Sequence, residues 1–505
     1  MNIRIEMRGG IQGLRQLSTL VANKTDKSLK TLKDVPGPPT LPLLGNLYLY
    51  KLGIFKVDKY HKVLDQLRAK YGPVVRQSFG SETVVHVFDP NDARKVYQTE
   101  GKWPSVAPLQ ETVQLYREKR GLSLGLGNQN GENWYRLRAA TQQAMLRPSA
   151  VEQYLPLVNR AALSLVHRIE KEVGREGGEA RNLRDLVGKW SLESAGAVCF
   201  ERELGCLDEA EGEKQAQQMV DANKSIFKIS GELKFSLPIY KLVSTPKWNK
   251  LVEAEDLFFS LASTIVKETI EEIKKQDNSS EEPRKKKKFS FIGHLLSQPG
   301  LTSSDVDIIT LSLFGDGLST TTPFFLNCLR CLAENPEVQQ KLRNEISGAV
   351  DLDGTLKPEI FNNLPYLRAF IKEAFRVYPN GTEVSRILPE DVELSGYLLP
   401  AGTHVNLNMG VNFMSSEYFS EPENFKPERW LRGEGEKIKQ FVLTPFGHGA
   451  RTCAGRRFAE QDLRVLTAQI LKNFDLKLVA EKPLEHIYET LLFPIEPIGV
   501  KFVPF

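Results

Sequence analysis

Long amphipathic stretches constrain this chain more than any other feature of its sequence. Apolar residues recur every three or four positions through nine segments, a spacing that predicts helices with one buried face. Runs that alternate or cluster like strands are few and short. We therefore predict a mainly α protein with small β-sheets. The predicted helices cover residues 56–70, 133–147, 152–173, 182–200, 251–276, 305–333, 335–350, 363–378 and 456–473, and the predicted strands cover 74–79, 83–89 and segments around 392–408 and 494–503.

The 505 residues are about three times the usual length of one domain. We find no internal repeat of 20 to 50 residues and no long linker rich in Pro, Gly or Ser. The stretch VPGPPTLPLLGNL at 35–47 carries four prolines, which stiffen the backbone and remove amide donors. We therefore predict a leader over residues 1–33 and a single catalytic domain over 34–505.

The leader holds the excess positive charge of the chain. Residues 1–33 contain seven Lys and Arg against Glu6 and Asp26, a local +5, whereas the whole chain carries +4. This pattern predicts an organellar presequence, and a disordered basic tail is the alternative. The small net charge elsewhere gives no reason to expect a nucleic-acid partner. A second basic run, RKKKK at 284–288, is interpreted as a solvated loop, with a partner or anionic-lipid site as the alternative.

One short segment concentrates the residues that suggest chemistry. The sequence FGHGARTCAGRRFAE at 446–460 places Cys453 among several glycines and arginines. A metal-bound cysteine must be a thiolate, which nearby positive charge and backbone amides stabilise. Gly447, Gly449 and Gly455 would let the backbone approach a flat cofactor closely, and Arg451 could neutralise an acidic edge of it.

Two other roles for a cysteine are open at this point. A nucleophilic Cys453 could use His448 as its base, although the sequence suggests no residue to orient that base. A zinc site would need four ligands, and the only CxxC pair, Cys328 and Cys331, lies on a helical pattern without a second pair. We interpret that pair as structural.

The segment around Cys453 resembles the haem-binding loop of the cytochrome P450 family of haem-thiolate monooxygenases. Phe446, Gly449, Arg451, Cys453 and Gly455 match the pattern F-x-x-G-x-R-x-C-x-G. The resemblance covers residues 35–505. It implies the cytochrome P450 fold and a haem b whose iron is bound by the Cys453 thiolate. It also implies that the haem lies between that loop and a long helix that carries Thr320.

Further motifs of the family occur in the expected chain order. Glu373 and Arg376 match E-x-x-R, and Arg429 lies in FKPERW, so the resemblance implies that these three residues form a structural charged triad.

The resemblance also implies the residues that hold the haem edge. Trp134 and Arg138 match the W-x-x-x-R motif of a haem-contacting helix, and Arg386 matches an arginine that binds a haem carboxylate. With Arg451, three guanidinium groups would surround two carboxylates, a geometry that arginine suits.

The helix expected to activate oxygen departs from the family pattern. The chain reads GDGLSTTT at 315–322, where Thr320 matches the usual threonine and Ser319 replaces the usual acid. Pro323 has no amide hydrogen for the carbonyl of Ser319, so we expect an opening in the helix beside Thr320. We expect Thr320 and ordered water to carry protons, with Asp316 as a weaker candidate. The alternative is that these hydroxyls only fill a helix face.

The resemblance implies a reaction with O2 that consumes two electrons delivered one at a time. Microsomal relatives carry an N-terminal membrane helix, but this sequence has no apolar run of 18 residues. Arg368 and Lys372 match a basic pair that docks an acidic ferredoxin in mitochondrial relatives, and Arg456 and Arg457 extend that pattern. We therefore expect an adrenodoxin-like ferredoxin with its NADPH-dependent reductase. A generic solvated basic face is the alternative.

The same relatives suggest a mitochondrial location, peripheral on the matrix side of the inner membrane. The family shapes its substrate pocket with segments that correspond to residues 100–130 and 224–248 here. The second mixes apolar residues with lysines, which suits either a peripheral membrane contact or plain helix packing. A lipophilic, sterol-like or steroid-like substrate is the leading expectation, with a xenobiotic as the alternative. Two other classes are alternatives. A haem-thiolate isomerase or peroxidase would not need a ferredoxin, and a haem sensor would keep Cys453 without Thr320.

Overall fold

The computed structural model describes residues 30–208, 210–279, 291–433, 435–479 and 481–505, without the side chains of 276–279. Helices dominate this part of the chain, as predicted. They are α1 (Leu47–Lys51), α2 (Tyr60–Tyr71), α3 (Pro90–Thr99), α4 (Glu111–Arg120), α5 (Gly125–Asn128), α6 (Gly131–Leu146), α7 (Pro148–Glu152), α8 (Leu155–Val173), α9 (Leu183–Cys199), α10 (Ala210–Lys234), α11 (Pro246–Ser279), α12 (Phe291–Leu296), α13 (Ser303–Ser319), α14 (Thr321–Glu334), α15 (Pro336–Ile346), α16 (Pro358–Phe361), α17 (Pro365–Val377) and α18 (Arg456–Asn473).

The strands form four small sheets. They are β1 (Lys30–Thr31), β2 (Val74–Phe79), β3 (Glu82–Val87), β4 (Val384–Ile387), β5 (Val392–Leu394), β6 (Tyr397–Leu399), β7 (His404–Leu407), β8 (Phe474–Leu478), β9 (His486–Glu489), β10 (Leu491–Pro494) and β11 (Val500–Pro504). The largest sheet has the order β2-β3-β7-β4, in which only β3 and β7 are parallel. The others are β1-β6-β5, β9-β10 and β8-β11.

The main core lies where α8, α9, α13, α14, α17 and α18 pack together. Phe324 of α14 stacks on Phe375 of α17, with ring centroids 3.6 Å apart. Phe375 in turn packs edge-on against Phe446, 5.2 Å away, at the start of the cysteine-containing segment. This row of aromatic rings connects the core directly to the loop that carries Cys453.

Local chemistry explains where the long central helix begins. Thr302 caps α13 by accepting a hydrogen bond from the amide of Asp305, and the Asp305 carboxylate accepts one from the amide of Thr302. Arg136 on α6 pairs with the same carboxylate at 2.7 Å. The start of α13 is therefore tied to the helix that carries Trp134 and Arg138.

The predicted helices are all present, and one of them is divided. The segment predicted at 305–333 is two helices, α13 and α14, that meet at Thr320. Sequence reasoning missed α3, α4 and α10, because these helices are largely polar. The start of α3 did carry a signal, since the Asp89 carboxylate caps it and Pro90 occupies its first position.

Some sequence predictions concern residues outside the described ranges. Residues 1–29 of the predicted leader and the basic run 284–288 lie there. Within the leader, Lys30 and Thr31 form β1, which pairs in parallel with Tyr397 and Leu398 of β6. None of the helices in the described ranges is both long enough and apolar enough to cross a bilayer.

Candidate active site

The loop before α18 is a tight backbone turn that ends at Cys453. The amide of Cys453 donates a hydrogen bond to the carbonyl of Phe446 over 2.9 Å, which closes the loop. Gly447 and Gly449 have φ angles of +70° and +75°, a conformation that favours glycine. A Cβ atom at Gly449 would lie 2.7 Å from Oε2 of Glu100. Gly447 and Gly449 are therefore required by the fold of the loop itself.

The Cys453 side chain faces a large internal cavity. The Cys453 sulfur lies deep in the protein, and its accessible surface faces this cavity. Burial raises the pKa of the Cys453 thiol, and the nearby charge of Asp316 adds to this. Backbone hydrogen bonds from Gly455 and Arg456, and the charge of Arg138, act in the opposite direction. The sulfur thus has groups that stabilise an anion, as a metal-bound thiolate requires.

The cavity has a volume of about 1300 Å³. Its wall includes Cys453 and Phe446 from the loop, Trp134 and Arg138 from α6, and Thr320 at the end of α13. Residues far apart in the sequence are therefore brought to one space.

Three guanidinium groups meet at the wall of this cavity. Arg386 pairs with Glu100 at 2.5 Å and donates to the carbonyl of His448. Arg138 is buried and has no ion pair or hydrogen-bond acceptor for its guanidinium within the described ranges. Burial, together with the charges of Arg386 and Arg138, lowers the pKa of Arg451 to about 9. The cluster carries more positive charge than Glu100 neutralises.

Arg451 is also held firmly by the protein. Its guanidinium donates to the carbonyls of Pro104 and Leu126 over 2.9 and 3.3 Å, and to the side chain of Asn130. It lies over the Trp134 ring, 4.3 Å from the centroid. The two residues that the sequence placed on the same cofactor edge therefore contact each other.

The helix that carries Thr320 is interrupted at that residue. Thr320 has φ −117° and ψ −63°, α13 ends before it, and α14 begins after it. The expected opening beside Thr320 is thus confirmed. The carbonyl of Thr320 accepts a hydrogen bond from Nδ2 of Asn380 over 2.6 Å and a longer one from the amide of Phe324 over 3.4 Å.

Hydroxyls and a carboxylate surround the break. The Thr320 hydroxyl donates to the carbonyl of Asp316 over 2.7 Å, and the Ser319 hydroxyl donates to the same oxygen over 3.3 Å. The Asp316 carboxylate lines the cavity. Its deep position raises its pKa to about 6, and Arg117 partly opposes this shift. Asp316 can therefore exchange a proton near neutral pH.

The predicted charged triad is present and fully buried. Arg376 holds Glu373 with two hydrogen bonds of 2.7 and 3.0 Å, and Nε of Arg429 donates to the same carboxylate over 3.0 Å. Trp430 donates to Glu373 as well, over 2.8 Å. Glu436 pairs with Arg429 and balances its charge. Sequence reasoning gave no role to Trp430, the last residue of the FKPERW segment, or to Glu436, which lies six residues after it.

A comparison with known protein families matches residues 35–502 to cytochrome P450. The chain belongs to the cytochrome P450 family. Over 92% of both chains it is 39% identical to a probable cytochrome P450, CYP44, of Caenorhabditis elegans. It is 31% identical to the mitochondrial 25-hydroxyvitamin D-1 alpha hydroxylase of Rattus norvegicus, over 95% of each chain. It is also 28% identical to the mitochondrial sterol 26-hydroxylase of that species, over 94% of this chain and 89% of the relative.

These comparisons confirm the resemblance to the P450 family and to its mitochondrial members. They also confirm that the protein is a monooxygenase, an oxidoreductase of the haem-thiolate type. P450 enzymes use O2 and need a redox partner. The fold described above has the mainly helical architecture with small sheets that the sequence predicted.

The residues of this P450 fit a haem. A thiol with anion-stabilising neighbours, Cys453, lies on the cavity wall, and the surplus positive charge of Arg138 and its neighbours would be balanced by two carboxylates. The alternatives to haem ligation have no support. The His448 imidazole packs against the rings of Tyr97 and Phe441. Among the described residues, no group of three or more His, Cys, Asp or Glu side chains could hold a metal ion.

The basic residues predicted to dock a ferredoxin lie at the surface. Arg368 and Lys372 are exposed on α17. Arg456 and Arg457 on α18 both pair with Glu460, at 2.8 and 3.6 Å.

The structure adds a further arginine to this surface. Burial lowers the pKa of Arg464, and the charges of Arg368 and Arg457 lower it further, so the three guanidinium groups lie close together. We refer to Arg368, Lys372, Arg457 and Arg464 as the basic patch. Arg464 was missed, although it lies seven residues after Arg457, a spacing that places both on one helix face.

Proposed function

We propose that this P450 hydroxylates a lipophilic, sterol-like substrate in mitochondria with electrons from a ferredoxin. The observation that carries the proposal is that Cys453 and the helix break at Thr320 line the same cavity. The sequence similarity to mitochondrial vitamin D and sterol hydroxylases supports the substrate class and the location.

In this proposal, the Cys453 thiolate would bind the iron of a haem b. The haem edge would be held by Trp134, Arg138, Arg386 and Arg451. Arg138 would contribute the guanidinium that has no partner among the described residues. Phe446, Gly449 and Gly455 shape the loop so that the sulfur faces the cavity. When bound, a thiolate-ligated haem supplies an oxidant that can take hydrogen from an unactivated C–H bond.

The protein delivers protons from its own side chains. Asp316 lines the cavity with a pKa of about 6, so it can take up and release a proton at physiological pH. The Thr320 hydroxyl donates to the Asp316 carbonyl, which leaves its lone pairs to accept a hydrogen bond from water. Ser319 makes the weaker bond to the same carbonyl and so helps to hold the break open. We therefore give Asp316 a larger role than the sequence alone suggested.

The basic patch supports the ferredoxin as electron donor. It lies on α17 and on α18, the helix that begins three residues after Cys453. Arg464 strengthens the positive charge, whereas Glu460 partly neutralises Arg456 and Arg457. An acidic ferredoxin docked here would be guided by charge, so turnover should fall as salt is added.

Exposed apolar residues support a peripheral membrane contact. Leu237, Ile239, Leu242 and Val243 are exposed in the segment after α10. A second exposed group, Leu41, Leu43, Leu52 and Ile54, lies near the N-terminal end of the domain. The two groups adjoin, because the rings of Tyr50 and Phe235 pack 4.5 Å apart. This surface would rest on the matrix face of the inner membrane and receive a lipophilic substrate from it.

Reconstitution with either redox chain tests the proposal. We expect ferredoxin and its NADPH-dependent reductase to support hydroxylation of sterols or secosteroids, and a diflavin reductase to give little product. Turnover with the diflavin reductase alone would contradict the mitochondrial assignment. Product formation only from xenobiotics would contradict the substrate class. Turnover with peroxide or by rearrangement, without any reductase, would favour a peroxidase or isomerase instead.

A further inference from the structure

A buried ion pair lines the same cavity as Cys453. Lys234, the last residue of α10, pairs with Glu383, which lies just before β4. Both side chains form part of the cavity wall. The exposed fractions of the two side chains are 26% for Lys234 and 9% for Glu383. The pair is thus withdrawn from bulk water but accessible to a molecule inside the cavity.

The Lys234 ammonium packs near three aromatic rings and has one N–H donor that is not used by the described residues. It lies 5.4 Å from the Tyr60 ring centroid, 5.7 Å from that of Phe235 and 5.8 Å from that of Tyr488. Its hydrogen bonds go to Glu383 and to the Tyr488 hydroxyl. An ammonium has three N–H donors, so one has no acceptor among the described residues.

Glu383 is also positioned by several polar neighbours. Its second oxygen accepts a hydrogen bond from Asn406 over 2.9 Å, and Asn406 in turn contacts His404. Asn406 and His404 also line the cavity. Burial raises the pKa of the Tyr60 hydroxyl, and the nearby Glu383 carboxylate raises it further, although this hydroxyl has no hydrogen-bond partner among the described residues. One end of the cavity is therefore a preorganised polar group of residues.

Stability gives no reason for such a pair. A buried ion pair is often no better than well-packed apolar side chains of similar volume, because both charges must leave water. The unused N–H of Lys234 and the Glu383 carboxylate on the cavity wall suit the binding of a polar group of the substrate instead. Since the two charges cancel, a neutral polar group is favoured over a carboxylate or an amine.

The chain neighbours of Glu383 show where the pair lies relative to the predicted reaction site. Asn380 binds the carbonyl of Thr320, and Arg386 donates to the carbonyl of His448 in the cysteine loop. Glu383 lies three residues from each, which is at most about 10 Å along the chain. A group bound by Lys234 and Glu383 would therefore occupy the cavity wall between these two anchor points.

We propose that Lys234 and Glu383 bind a hydroxyl group of the substrate, so that this P450 selects an apolar molecule that already carries an alcohol. The alcohol oxygen accepts the free N–H of Lys234, and the alcohol proton is donated to Glu383. A hydrocarbon analogue would leave both buried groups without a partner, which is the situation that makes a site reject an analogue strongly. The inference rests on the proposed lipophilic substrate and narrows it.

Ligand binding by the ferric, haem-loaded enzyme tests the inference without any redox partner. The probes are matched pairs, cholesterol with cholest-5-ene and 1-dodecanol with dodecane, plus dodecanoic acid. Spectral titration gives a dissociation constant for each. We expect the alcohol to bind about tenfold or more tightly than its hydrocarbon in at least one pair. We also expect the alcohol to bind more tightly than the acid.

The matched variant changes both partners, so that no buried charge is left alone. In Lys234→Met/Glu383→Gln, the preference for the alcohol should disappear, while the reduced carbon-monoxide spectrum still reports intact thiolate-bound haem. The control Lys247→Met/Glu232→Gln removes a surface pair of the same composition, joined at 2.5 Å outside the cavity, and should leave the preference unchanged.

Three outcomes would overturn the inference. They are equal binding of alcohol and hydrocarbon by the wild type, an alcohol preference that survives in the cavity variant, and tighter binding of the acid. If ferredoxin supports turnover but one of these three outcomes is observed, the proposed hydroxyl site fails and the proposed function stands. If the alcohol preference is seen while ferredoxin gives no turnover, the inference stands and the proposed electron donor fails.

Discussion

The side-chain amide of Asn380 donates a hydrogen bond to the carbonyl oxygen of Thr320, with the two atoms 2.6 Å apart. This contact joins the segment after α17 to the interruption between α13 and α14. Pro323 has no amide hydrogen for the Ser319 carbonyl, and the next carbonyl, that of Thr320, accepts only a long helical bond of 3.4 Å from the Phe324 amide. The Asn380 side chain therefore adds a second, shorter bond at the break. The break is therefore a supported feature of the fold.

Asn380→Asp should weaken that support while keeping the size of the side chain. The carboxylate cannot donate to the Thr320 carbonyl, which would lose its short bond. We expect the loss of about 1 kcal/mol of stability and several-fold less product per NADPH consumed, because the Thr320 hydroxyl would be less well placed. Thermal unfolding and the ratio of product to NADPH measure the two effects. Unchanged coupling would show that Asn380 does not position Thr320.

Asp316→Asn should change both stability and activity with a defined pH dependence. Burial raises the pKa of Asp316 to about 6 from its ordinary value of 3.8. Because the folded pKa exceeds the unfolded one, ionisation of Asp316 costs stability as the pH rises from about 4 to about 6. The variant should therefore gain stability relative to the wild type at pH 7.5, and about half as much at pH 5. Unfolding midpoints at both values measure this difference.

The same variant should form less product, on the order of tenfold, if Asp316 moves protons as proposed. NADPH consumption should fall less, because reduction of the enzyme does not depend on this carboxylate. If the variant forms the normal amount of product per NADPH at neutral pH, Asp316 does not deliver protons, and Thr320 and water do so, as the sequence suggested.

Glu373→Ala should destabilise the fold severely, because it removes the carboxylate at the centre of a buried charge cluster. Arg376 and Arg429 are both fully buried, and each would lose its ion pair with Glu373. Arg376 would then have no carboxylate partner among the described residues, whereas Arg429 would keep Glu436. We expect a loss of about 3 to 5 kcal/mol, seen as little or no haem-loaded protein after expression. Glu436→Gln serves as the control, since Glu436 is 23% exposed and contacts only Arg429 of the cluster. A mild effect of Glu373→Ala would contradict the structural role of the triad.

Arg464→Glu should weaken ferredoxin docking although sequence motifs did not identify this residue. Reversing one charge within the basic patch should raise the KM for ferredoxin about tenfold, while kcat at saturation changes little. Lys214→Glu makes the same charge change at an exposed position on α10 and should have no such effect. Equal KM values for the two variants would place the docking surface elsewhere.

Sequence and structure agree where the chemistry is local to one segment. The cysteine loop, the E-x-x-R pair and the helix opening at Pro323 each depend on neighbouring residues, so their patterns could be read directly. The partners that complete the site come from distant parts of the chain. The contacts of Glu100 with Arg386 and of Asn380 with Thr320 depend on the packing of α17 and of the four-stranded sheet.

Two clusters of charged residues also could not be predicted from the sequence. Arg464 joins Arg368 because α18 packs against α17, and Lys234 meets Glu383 across 149 residues. No periodicity or spacing in the sequence indicates these pairs. The largely polar helices α4 and α10, which supply parts of the cavity wall, were missed for a related reason, because the apolar pattern used for prediction is weak in them.

The identity of the axial ligand decides the central claim. The measurement is the carbon-monoxide difference spectrum of the reduced protein, recorded for the wild type, for Cys453→Ala and for Cys331→Ala as a buried-cysteine control. The proposed role of Cys453 predicts the absorption band of thiolate-bound haem in the wild type and in Cys331→Ala, and its absence in Cys453→Ala. A thiolate band that persists without Cys453, or a wild-type spectrum that requires a nitrogen ligand, would contradict it.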